Sequence, residues 1–131
     1  MTRSAARASG LDQGRDILFL LAPGFESQSE RQYCPECAEL WGLIGYYPAI
    51  REALEIRYQP IAHPRPGIVA MLGEGSWNCP TLVLAEGHDA GPRAKVHAAN
   101  GARFLDNARD IGAYFAHRYG TAMPRGFSSQ A

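Results

Sequence analysis

The chain lacks net charge: 13 Lys plus Arg stand against 13 Asp plus Glu over 131 residues. That balance offers no basic field to a nucleic-acid backbone and no acidic field to a cationic partner. Long apolar runs are missing too. The longest, Ile17 to Ala22, is a strand's length, against the ~20 residues that span a bilayer. Neither nucleic acid nor membrane is therefore an expected partner. Cysteine is scarce and odd in number, with Cys34, Cys37 and Cys79 alone, too few for a disulfide framework. Three free thiols suit a cytoplasmic setting. The N-terminus carries Arg3, Arg7 and Arg15 but no apolar block such as a secretory signal needs. Residues 1–15 thus read as a disordered leader, with a mitochondrial-type presequence as the alternative.

Turn formers, by contrast, are plentiful. The 14 Gly and 9 Pro exceed the average share of roughly 12% but stay below the ~25–30% of low-complexity chains, so one compact, loop-rich domain is expected at 14.3 kDa. Asp16 to Ala22 is a continuous apolar run stopped by Pro23-Gly24, the pattern of a strand buried on both faces. A polar stretch, Glu26 to Gln32, follows. A helix should then start near Pro35, because proline is favoured at the first helical position, and Cys34 falls at its cap. Ala49 to Leu54 adds a turn or two before a strand at Glu55 to Pro60. Ile68 to Leu72 reads as a short helix, Thr81 to Ala85 as a second strongly apolar strand, and Glu86 to Asn100 as a loop or wide hairpin. Ala102 to Leu105 returns as a short strand before a final helix, Asn107 to Tyr119, with Ile111, Tyr114, Phe115 and Arg118 along one face. Residues 121–131 read as a flexible tail. Helices between the first strands imply a crossover, and the last two strands are close enough to pair antiparallel. The expected fold class is α/β, a small mixed four-stranded sheet with helices on both faces.

The cysteines carry the clearest chemistry. A dithiol exchanges disulfides when one sulfur can be a thiolate and meet solvent while the second lies close enough to resolve the mixed disulfide. At a helix N-terminus unpaired N–H groups and the helix dipole favour negative sulfur at Cys34, and Cys37 lies within one turn of it. Glu36 adds negative charge beside that sulfur and works against it; Arg31 offsets this if its loop folds back. The competing reading makes both cysteines small apolar residues that pack the helix start. Tyr33, Phe25, Trp77 and Arg65 are candidates for the walls of a cleft, and each is equally a core or rim residue. Asp106 can cap the last helix or accept an ammonium group. His63, His88, His97 and His117 read as solvated loop histidines.

The order of elements resembles the thioredoxin-like fold in its glutaredoxin and glutathione-transferase N-terminal variants. Cys34-Pro35-Glu36-Cys37 follows the first strand as that family's redox pair does, and Cys79-Pro80-Thr81 precedes the third strand, where the family carries a cis-proline. Phe104 to Phe115, ending His117-Arg118-Tyr119-Gly120, is similar to the last strand-to-helix segment of the transferases. The chain also resembles an uncharacterised proteobacterial family of unknown function marked by Pro23-Gly24-Phe25, Tyr33 to Cys37 and Pro64-Arg65-Pro66. The resemblance implies a domain over 16–120 that performs thiol–disulfide exchange, with Cys34 as nucleophile, Cys37 as resolving thiol and Pro80 shaping a substrate ledge beside Cys79. It implies glutathione as co-substrate rather than a tightly bound cofactor. Asp106 matches the acidic residue that receives the γ-glutamyl end, while Asn107 replaces the family's serine. Glutathione or protein thiols are the implied partners, for a monomer or homodimer. Two alternatives stay open: a non-catalytic module binding glutathione or a peptide in the same cleft, and a zinc or iron–sulfur site on Cys34, Cys37 and Cys79.

Overall fold

The computed structural model describes residues 14–97 and 99–127; most of the leader read at 1–15, and residues 128–131 of the tail, lie outside these. The first apolar run forms β1 (Asp16–Leu21), buried along its whole length. Successive strand side chains point to opposite faces, so a run buried at every position requires cover on both. After Pro23 and Gly24 the chain makes a hairpin of β2 (Phe25–Ser27) and β3 (Glu30–Gln32). Its two turn residues, Gln28 and Ser29, both have positive φ, 55° and 64°. Two-residue hairpin loops favour that conformation, for which Asn-Gly is the usual sequence signal. The polar stretch expected here carries no such signal, and its strand pairing rests on backbone hydrogen bonds alone.

Helix α1 (Pro35–Tyr46) and the short α2 (Ala49–Ala53) lead into β4 (Leu54–Gln59), which pairs with β1 in parallel, Asp16 opposite Leu54 through Leu21 opposite Gln59. Helix α3 (Pro66–Leu72) follows, and a Cβ on its Gly67 would stand 2.9 Å from Phe19 Cε1, so the missing side chain lets the helix lie close to β1. Strand β5 (Thr81–Val83) runs antiparallel to β1 on its other edge. Strands β6 (Lys95–Val96) and β7 (Arg103–Leu105) complete the order β4-β1-β5-β7-β6, and α4 (Ala108–Tyr119) ends the fold.

The mixed sheet has five strands rather than four: Lys95 and Val96, inside the segment read as a loop, pair with Phe104 and Arg103. Both are exposed, so no apolar pattern marks them. The cap of α4 is Asn107, not Asp106; its side chain accepts from Asp110 N–H at 2.9 Å, and Gly120, at φ +73°, closes the helix in the left-handed conformation. Residues 121–127, read as part of the tail, return over α1 and α4. Ala122 N–H donates to Tyr47 Oη at 3.2 Å, and Pro124 packs against Gly112.

Strand β1 also brings a carboxylate into the core. Asp16 is fully buried and accepts hydrogen bonds from Ala85 N–H at 2.7 Å and from Tyr114 Oη–H, with His88 Nδ1 at 2.8 Å. Arg118 approaches the other ring nitrogen of His88 at 2.9 Å, and Arg103 donates to the carbonyls of Ala85 and His88. His88 is thus part of a network joining β1 to α4, not a solvated loop residue. Burial, then the bond to Asp16, pushes the Tyr114 hydroxyl well above its ordinary range. No described helix is long and apolar enough to cross a membrane.

Asp16→Ala would leave buried donors unpaired, with an expected loss of about 3 kcal/mol. Phe19→Ala, which empties a core position, is expected to cost about 3–5 kcal/mol. Urea unfolding checks both: the midpoint should fall with little change in slope. A change under about 0.5 kcal/mol in either variant, the ordinary range for surface substitutions, would contradict the packing described.

Candidate thiol site at the start of the first helix

The end of β1, the start of α1 and the residues before β5 converge on three sulfur atoms. Cys34 is the N-cap of α1, with extended backbone (φ −80°, ψ 115°), and Pro35 takes the first turn, where no N–H is needed. The Cys34 sulfur accepts from Cys37 N–H at 3.1 Å. That bond gives a partner to a first-turn N–H that has none within the helix. When protonated, Cys34 can donate to the Cys79 carbonyl at 3.7 Å. The peptide bond between Cys79 and Pro80 is cis, as is that between His63 and Pro64.

The three sulfurs differ sharply in access. Cys34 is partly exposed, whereas Cys37 is 3% and Cys79 6% exposed. Cys37 accepts from Leu21 N–H at 3.5 Å. Burial pushes the Cys37 thiol up to about 12, helped by its hydrogen bond with Cys34 and by negative charge on Cys34 and Cys79, with the Leu21 N–H pulling the other way. Burial raises Cys79 to about 11 against the opposing influence of the Arg65 guanidinium. Cys34 is thus the accessible sulfur, and Cys37 a protonated neighbour one turn along. Among the described residues no group of three or more His, Cys, Asp and Glu is placed to hold a metal ion.

The surrounding charges are largely engaged. Glu36, expected to oppose negative charge on Cys34, instead accepts from Ala108 N–H at 2.8 Å, so its carboxylate sits at the N-terminus of α4. Arg109 pairs with Glu39 at 2.9 Å, adding a second link between the helices. Arg65 is buried, and its guanidinium donates to the carbonyls of Pro60, Ile61 and Trp77. Arg31 folds back as far as Gly24, where its Nη2 lies 2.9 Å from the place a Cβ would occupy. Asp106 receives Lys95 Nζ at 3.0 and 3.1 Å, and the Asn107 amide donates to Asp110 at 2.9 Å while its oxygen caps α4.

A groove of about 400 Å³ opens beside the sulfurs, lined by Leu21, Pro23, Tyr33, Cys34, Cys37, Ala38, Trp41 and Tyr58. Of the four residues proposed as cleft walls only Tyr33 lines it. Phe25 packs against the core, and Trp77 turns its indole N–H to the Gly73 carbonyl at 2.6 Å and stands edge-on to His97 and Phe104. His117 meets Asp89 at 3.0 Å. Trp41 and Tyr58 were missed. Trp41 had a signal, since residues 34, 38 and 41 recur at i, i+4 and i+7 on one helix face. Tyr58 had none: it is brought in only because β4 pairs Tyr58 with Leu20.

Architecture and site thus define an α/β domain with a cysteine pair at the first helical turn. The profile of a family described as protein of unknown function (DUF3088) matches residues 15–123, and the chain belongs to that family. No curated protein and no solved structure matches it.

At pH 8 in the native state, iodoacetamide should modify one thiol, Cys34, and leave Cys37 and Cys79 protected until denaturant is added. Mass mapping checks this; faster loss of either buried thiol would contradict the assigned access. A second expectation concerns stability. The thiols of Cys37 and Cys79 leave an ordinary value of 9.0 for about 12 and 11 on folding, so between these limits the native chain binds more protons than the unfolded one. Stability in the reduced protein should therefore fall as pH rises above about 9, and less steeply in Cys79→Ala. Urea midpoints in reductant at pH 8 and 10 read the difference.

Proposed function

We propose that this protein is a thioredoxin-like thiol–disulfide oxidoreductase in which Cys34 is the nucleophile and Cys37 the resolving thiol. The observation that carries the reading is the 3.1 Å hydrogen bond from Cys37 N–H to an accessible Cys34 sulfur at a helix cap. The sheet supports it: β4 joins β1 in parallel through a helical crossover and β5 pairs antiparallel with β7, as the order of elements led one to expect, with β5 also antiparallel to β1 and β6 added at one edge.

Cys34 thiolate attacks one sulfur of a substrate disulfide; a Cys34–substrate bond forms, the substrate bond breaks, and the leaving sulfur takes a proton. Cys37 gives up its proton and attacks Cys34, releasing the second substrate thiol and leaving a Cys34–Cys37 disulfide. The substrate gains two electrons and the protein loses two. A thiol reductant of the glutathione or dithiol class returns the pair to the dithiol form. The high position of Cys37 supports its role in the second step, since it is mostly thiol at neutral pH and must be deprotonated as it attacks. Glutathione and protein thiols are the partners such chemistry admits.

Reduction of insulin disulfides by dithiothreitol should be accelerated by the wild-type protein and lose that acceleration in Cys34→Ser. Cys37→Ser should retain the first step and accumulate a mixed disulfide on Cys34, visible by mass spectrometry as one adduct per chain. Acceleration that survives Cys34→Ser would refute the assignment.

A further inference from the structure

The groove beside Cys34 differs in chemistry from what an anionic tripeptide needs. None of its eight lining residues carries an ammonium or guanidinium group. Most cations around it are drawn elsewhere, Arg57 to Glu55, Arg65 to three carbonyls, Lys95 to Asp106 and Arg109 to Glu39, while Arg51 lies over the Trp41 ring, 5.9 Å from its centroid. Asp106 and Asn107, where the resemblance put the γ-glutamyl contact, hold Lys95 and Asp110 instead. Three aromatic rings are at hand: Tyr33, Trp41 and Tyr58 are 63%, 36% and 49% exposed, and all line the groove with Leu21 and Pro23. Exposed aromatics gathered around a concave surface gain free energy when an apolar group displaces water from them, whereas a carboxylate seated among them would lose hydration against a lining that itself holds no cation.

Resting on the oxidoreductase reading, we propose that the substrate is a polypeptide disulfide whose reacting cysteine has a bulky apolar or aromatic residue beside it in sequence, and that this residue seats between Tyr33, Trp41 and Tyr58. The occupant must be tethered to sulfur, because Cys34 and Cys37 form part of the same wall. A side chain one or two residues from the attacked cysteine meets that requirement, and the volume of about 400 Å³ suits one or two large side chains. Binding the apolar residue holds the substrate disulfide against Cys34, so the groove contributes to rate by positioning. Trp41 and Tyr58 are then substrate-binding residues, and electron transfer is confined to the sulfurs as written above.

The test uses the full chain and two synthetic peptides, each presenting one cysteine as its mixed disulfide with thionitrobenzoate. One has tryptophan and leucine beside the cysteine, the other aspartate and glutamate; glutathione disulfide and the free aromatic disulfide reagent are run alongside. The apolar peptide should react with a kcat/KM about 10-fold or more above the acidic one, the range expected for seating one large apolar side chain. Trp41→Ala and Tyr58→Ala should each bring the two peptides closer together in kcat/KM, and retention of the wild-type far-ultraviolet circular dichroism shows that the variants fold. Tyr58→Lys, which puts a cation at the groove, should raise the acidic peptide's rate. Equal rates for both peptides would overturn the proposal but leave the oxidoreductase reading intact. So would faster reaction of glutathione disulfide that is lost in Arg31→Gln. Absence of Cys34-dependent reaction with every disulfide, the free reagent included, would remove both.

Discussion

Strand β1 has no edge left for water. β4 lies against one side in parallel and β5 against the other antiparallel, and Ile17 to Leu20 are fully buried. Such a strand is fixed in register as well as in place, since a slip of one residue would exchange the two side-chain sets across the sheet. Its ends inherit that rigidity. At the C-terminal end, Leu21 N–H reaches the Cys37 sulfur; at the N-terminal end, Asp16 receives Ala85, His88 and Tyr114. The thiol site therefore rests on a strand rather than on a mobile loop, which is the condition for holding a sulfur pair within reacting distance.

The same fold decides which charges remain available. Local sequence puts Glu36 two residues from Cys34, in the same first turn of α1. Packing α1 against α4 gives that carboxylate a better partner, the Ala108 N–H at the next helix N-terminus. That interaction engages the Glu36 carboxylate and satisfies a helix end that otherwise lacks a bond. Arg65 shows the converse. A cation in a proline-rich turn looks like a ligand contact, yet it is buried and bound to three carbonyls, so it ties the turn before α3 to Trp77. What is left at the mouth of the site is aromatic surface.

Most of the framework was legible because it was written in local terms. The apolar run ended by Pro23-Gly24 gave β1, Cys34-Pro35 gave the start of α1, and the i, i+3, i+4 recurrence of Ile111, Tyr114 and Phe115 gave α4. The hairpin after Gly24 and the edge strand at Lys95 were not legible, because their residues are polar or exposed and are held by backbone pairing rather than by side-chain burial. At the site, the sulfur pair could be read from spacing, and Trp41 could have been found on the same helix face as Cys34. Tyr58 could not, being two dozen positions beyond Cys34 and brought close only by the sheet.

By itself, the order of residues determined where the chain can be buried, where a helix must begin and which two sulfurs share a turn, since propensity, proline geometry and periodicity act over a few neighbours. Tertiary structure alone decided which charges cancel, which thiol meets solvent and which rings stand beside it. Those outcomes depend on contacts between segments far apart in the chain, and burial and hydrogen-bond competition are settled only once the segments have packed.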